Sequence, residues 1–204
     1  MRCFLYAALI SSILFSACDH PPVPKNLPPD HNTLANSNVK QDQMTSSPQA
    51  SEAPIDLQFI DTLIAHDQTA IDAAQLVATR AQHQELKLLA RSIITDRQEQ
   101  ISELRKWRTD WFGNAPQAVN MDLPGIRNGL RSVNLDKLDP LKEDQFDLEF
   151  ILQMLPLEEG SLTAARYLLT QDVHVELKQL AQNLIEEQET EIQQMRGWQT
   201  EWNK

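Results

Sequence analysis

One stretch of this chain is written twice. Residues 57–113 and 148–204 align without a gap at a constant offset of 91 and are identical at about 18 of 57 positions. The strongest agreement lies in H-x-E-L-K, His83 to Lys87 and His174 to Lys178, and in R-x-W-x-T-x-W, Arg105 to Trp111 and Arg196 to Trp202. All four tryptophans therefore belong to one duplicated W-x-x-x-W motif. Whatever unit the first copy forms, the second must form too, and the fold must bury both.

Each copy has the periodicity of a helical hairpin. Phe59, Leu63, His66, Ala70, Ala73 and Val77 recur at alternating steps of four and three, the spacing of one helix face. A second stripe runs through Leu86, Ala90, Ile93, Arg97, Gln100, Leu104, Trp107 and Trp111. The second copy repeats both, and corners are expected near residues 81–84 and 172–175. Neither hairpin can cover its own apolar stripe, so the expected fold is an all-α four-helix bundle spanning residues 55–204. The connector, 114–147, is long enough to cross a helix of roughly 42 Å. A single such crossover is the ferritin-like layout; a loop that returns locally is the alternative.

The N-terminus carries an address. Phe4 to Phe15 is an apolar run too short to span a bilayer, and Ser16 and Ala17 precede Cys18. This resembles a bacterial lipobox, which implies a signal peptide over 1–17, lipidation of Cys18, and a membrane-anchored envelope protein facing the periplasm. Residues 18–54 read as a disordered tether, with seven of the eleven prolines and no apolar periodicity. A net charge of -11 argues against nucleic acid as a partner, because phosphate binding needs clustered Lys and Arg. Two cysteines cannot build a disulfide scaffold or a four-cysteine zinc site.

Polar residues interrupt the core stripes at one level. His66, Asp67, Arg97 and Gln100 in the first copy, with Glu158, Gln188 and Glu191 in the second, are expected to meet near mid-helix. Buried carboxylates need partners. One solution is a salt-bridged network around Arg97 that fixes the bundle's register. Another is a divalent metal ion held by His66, Asp67, Glu158 and Glu191. A third is a helix rotation that exposes all of them.

These residues resemble the bacterial domain-of-unknown-function family numbered 305, over essentially all of 57–204. Its duplicated pattern contains M-I-P-H-H, L-K-x-L-A and I-I-x-x-Q-x-x-E-I-x-x-M. The resemblance implies a ferritin-like fold, a periplasmic or secreted location, and links to copper or other metals through His and Met. Where the family has P-H-H, this chain has Ala65-His66-Asp67 and Pro156-Leu157-Glu158. Gln188, Glu191 and Met195 keep the family's second-helix residues, whereas Arg97, Gln100 and Leu104 replace them in the first copy. Met154 keeps the family's first-helix Met, and Leu63 does not.

Two functions follow as expectations. One is a tethered envelope protein with a structural or interaction role and a degenerate metal site; the other is a periplasmic metal-binding protein. Catalysis is not expected: no nucleophile–base pair, phosphate loop or duplicated Glu-x-x-His motif occurs. His83 and His174 read as repeated corner residues. Trp107, Trp111, Trp198 and Trp202 read either as caps on the end of the core or as a patch for an unidentified envelope partner.

Overall fold

The computed structural model describes residues 45–204. The signal peptide, Cys18 and most of the tether lie outside the described residues. Among the described residues six α-helices follow in order: α1 Ile55–Arg80, α2 Gln84–Phe112, α3 Ile126–Ser132, α4 Leu135–Leu138, α5 Glu143–Leu168 and α6 Val175–Trp202. Pro54 precedes α1, where a missing N–H costs nothing because the first amides of a helix are unpaired anyway. Gly113, at φ 54, ends α2 in the left-handed region that glycine adopts without steric cost.

The two hairpins are α1–α2 and α5–α6. The corner at Ala81–His83 falls where the repeat places it. The second corner opens earlier than expected, because α5 stops at Leu168. Thr170 N–H and Gln171 N–H bond the carbonyls of Tyr167 and Leu168, which tightens the last turn, and Thr170 Oγ1 also donates to Tyr167 O.

Contacts at the helix ends fix the topology. His83 at the start of α2 stacks on Trp202 at the end of α6, and Trp111 at the end of α2 stacks on His174 at the start of α6. Asp147, near the start of α5, meets His83 and so lies at the end of the bundle where α1 finishes. The helices thus run up, down, down, up, and the segment between α2 and α5 crosses the length of the bundle. This is the all-α ferritin-like arrangement with one crossover.

The crossover is itself structured. Asp61 of α1 holds its beginning, accepting from Arg108 Nε at 2.6 Å and from Ala118 N–H at 2.8 Å. α3 then lies on α5 with almost no space between backbones. A Cβ on Gly160 would sit 2.7 Å from Gly125 O, and one on Gly129 would sit 3.0 Å from Pro156 O. Leu123, Ile126, Leu130, Val133 and Leu138 are buried, adding a layer to the core. The expected connector also proves shorter, because α5 begins at Glu143 rather than at 148.

The expected tether ends before residue 54. Ser47 N–H donates to Val119 O at 2.8 Å, and the Ser46 and Ser47 hydroxyls accept from Met121 and Val119 N–H. Ala50 is buried within a 3-10 turn, Ala50–Glu52. The crossover offers free amides to this serine-rich segment, an interaction that composition alone does not reveal. Among the described residues, no helix is long and apolar enough to cross a membrane.

Candidate functional site

The polar residues that interrupt the core stripes come together in the middle of the bundle. His66, Asp67, Arg97, Glu158 and Gln188 are fully buried, and Gln100 and Glu191 nearly so. The layer is built from four pairs of repeat-equivalent positions: 66 and 157, 67 and 158, 97 and 188, 100 and 191. The pairs are occupied differently, so the two halves of the layer differ.

Arg97 reaches from the first copy into the acids of the second. Its Nη2 lies 3.0 Å from Glu191 Oε2 and 3.4 Å from Glu158 Oε2, and its Nη1 lies 3.9 Å from Glu187 Oε2. Two carboxylate oxygens thus converge on one guanidinium nitrogen. Gln188, at the equivalent position, instead accepts from Ser161 Oγ at 2.7 Å. On the other side of the layer, His66 Nε2 donates to Leu157 O at 3.0 Å, which leaves Nδ1 facing Asp67 Oδ1 at 3.6 Å. Gln100 donates its amide to Asp67 Oδ2 at 2.7 Å, in the orientation that the surrounding acceptors require.

The electrostatics follow from burial and from the shortage of positive charge. Burial, reinforced by repulsion from Glu158, pushes the Glu191 carboxyl up to about 7 against the pull of Arg97. Burial likewise raises Asp67, although His66 and Arg97 oppose it. For His66 burial works against the charge, yet Asp67 and Glu158 outweigh it and raise the ring above the ordinary histidine value. Arg97 is held charged: burial opposes its charge, but the carboxylates around it prevail.

The expected metal set is therefore split. Glu158 and Glu191 share Arg97, while His66 and Asp67 adjoin each other and bond elsewhere. Among the described residues, no three His, Cys, Asp or Glu side chains are grouped so as to hold a metal ion. The donor set does not fit a divalent ion, because a guanidinium already lies where two of its carboxylates meet.

The four tryptophans and the two corner histidines form two equivalent assemblies at opposite ends. Trp107 stacks on Trp111 and Trp111 on His174; Trp198 stacks on Trp202 and Trp202 on His83. Each histidine is held from the other copy, His83 Nδ1 at 2.7 Å from Asp147 and His174 Nδ1 at 2.6 Å from Asp56. Asp147 also accepts from the Gln82 and His83 amides, and Asp56 from the His174 amide. All four indoles are half-buried and pack against the core. Sequence reasoning missed Asp56 and Asp147, although they are repeat-equivalent and lie one residue outside the aligned stretch. It also missed Ser161 and Glu187, which carry no periodic signal.

Residues 56–199 match the family described as Domain of unknown function (DUF305). The chain belongs to this family. Among solved structures, CopM in its Cu(II)-bound form is 35% identical, with a TM-score of 0.63 over 72% of this chain and 97% of CopM. CopM in its Cu(I)-bound form is 33% identical, with a TM-score of 0.62 over 74% and 99% of the two chains. A DUF305 protein from Streptomyces coelicolor is 22% identical, with a TM-score of 0.62 over 72% and 92%, a likeness of fold alone. No curated protein sequence matches the chain.

Proposed function

We propose that this DUF305 protein is a non-catalytic envelope protein, anchored through lipidated Cys18 and facing the periplasm, in which the bundle has a structural or interaction role. In this reading its mid-bundle metal site is degenerate. The observation that carries it is Arg97, whose guanidinium stands between Glu158 and Glu191. The apolar run ahead of Ser16-Ala17-Cys18 supports the anchor. A second reading, a periplasmic metal-binding protein, is favoured by the likeness to CopM, for which Cu- and Ag-bound structures are known.

Elemental analysis of protein purified without chelators separates the two. The first reading expects less than about a tenth of an equivalent of any transition metal. A stoichiometric metal lost on His66→Ala would overturn it. The anchor is tested by Cys18→Ser, which should move the protein from the membrane fraction to the soluble one.

A further inference from the structure

We infer that the cleft between α2 and α6 is a binding site for a linear aliphatic polyammonium ion, a small ligand of the polyamine class. The inference goes beyond the functional reading above and does not depend on it, since neither a metal ion nor the membrane anchor enters it.

The cleft exists because one side of the bundle is loosely closed. α1 packs on α2, α5 on α6 and α1 on α5, whereas the side between α2 and α6 is closed chiefly by Arg97 and by the ring stacks at the helix ends. Between Arg97 and the stack of His83 on Trp202 the two helices leave a cleft of about 520 Å3, a size suited to a small ligand. It runs from Leu88 to Asp96 on α2 and from Glu186 to Gln194 on α6, about 12 Å at the rise of a helix.

Its walls are apolar and acidic. α2 supplies Leu88 and Leu89, and Leu88 is 56% exposed, an uncovered apolar side chain. α6 supplies Glu186, Glu187 and Glu191, and Asp96 of α2 adds a fourth acid. Among the described residues, Arg97 is the one Lys or Arg side chain paired with these acids. Glu191 is the deepest of them, at 9% exposed. Its Oε2 accepts from Arg97, and its Oε1 has no partner among the described residues. A carboxylate oxygen so nearly buried calls for a donor, and the cleft is the side from which one can come.

Charge and shape select the ligand. An anion would be repelled by four acids. Among the described residues no donors are grouped for a metal ion. Glu187 and Glu191 are one helical turn apart, so their side chains start about 6 Å from each other. Ammonium groups joined by a few methylenes have about the same spacing. Such a chain lays its methylenes on Leu88 and Leu89 while its nitrogens donate to the acids.

The full-length chain is dialysed to equilibrium against labelled spermidine at pH 8, above the value of about 7 to which burial raises Glu191, and at about 0.15 M salt. One equivalent bound with a Kd of about 0.1 mM or tighter is the expected result. Glu187→Gln changes an exposed side chain and should weaken binding about fivefold or more, and Leu88→Ser about threefold. Magnesium ion, which brings charge without methylenes, should compete only at about tenfold higher concentration or more. Absence of binding overturns the inference, as does competition by magnesium at equal concentration. Affinity unchanged in both variants places the ligand elsewhere and overturns it too. A peptide with lysines four residues apart that binds more tightly than spermidine overturns it in favour of a protein partner.

Discussion

A buried arginine is stable only where its charge is met, and a buried acid only where it is paired or protonated. Arg97 cannot neutralise every carboxylate around it, so the surplus is carried by protons. Glu191, raised from 4.5 to about 7, retains a proton in the folded protein at pH values where the unfolded chain has released it. The folded state then binds more protons than the unfolded state, and its stability falls as pH rises from about 4.5 through 7. Glu158, Arg97, Asp96 and Glu187 face the group, and His66 and Asp67, both also raised, add to the same trend. Urea denaturation at pH 5 and pH 8 should show Glu191→Gln flattening this dependence, the lost difference being on the order of 2 kcal/mol. An unchanged slope would place the proton elsewhere. At this scale the sequence was informative about which residues occupy the layer, because polar residues on an apolar stripe are conspicuous. It was silent on pairing: no periodicity tells that Arg97 crosses to the second copy's acids while Gln188 bonds its own hairpin through Ser161.

Among the elements, the ends of α2 and α6 matter most. Neither helix has its N-terminal amides capped by its own side chain. Asp147 and Asp56 instead bind, from the other hairpin, the corner amides just ahead of these helices, while the corner histidine is fixed against an indole. Asp147→Ala leaves three donors just ahead of α2, the Gln82 and His83 amides and His83 Nδ1, without their acceptor and should cost about 1–3 kcal/mol. A double-mutant cycle between His83 and Trp202 should return a coupling of about 0.5–1.5 kcal/mol, measured by chemical denaturation. A coupling near zero would mean that the stack is only proximity. The hairpins were legible from periods of three and four. Their clasp was not, since His174 and Asp56 are 118 residues apart and meet only once the topology is known. The early end of α5 and the ordering of residues 46–54 escaped for a related reason: both depend on local hydrogen bonds that leave no period behind.

For the whole molecule, each hairpin supplies what the other lacks: an acid that binds its corner amides, rings that cover its corner, and an apolar stripe against its own. A fragment ending at residue 113 should therefore not fold alone, since α5, α6 and the crossover cover its core face. Circular dichroism should show it melting without a cooperative transition, and a sharp transition would show instead that one hairpin is self-sufficient. The duplicated layout was readable from the offset of 91; the connector's length allowed a crossover but left a local return open, and the contacts of His83 and His174 at the helix ends decide between them. The crossover's own packing was not, because the approach of Gly125 and Gly129 to α5 reflects missing side chains.

Arg97 also sets how this bundle answers to its surroundings. A counterion taken up from solution can be withdrawn by competition, dilution or a chelator. One supplied by the chain is present from synthesis and cannot be stripped. In the proposed reading the middle of this protein holds its shape whether trace elements are scarce or in excess, an independence that a protein relying on a captured ion lacks.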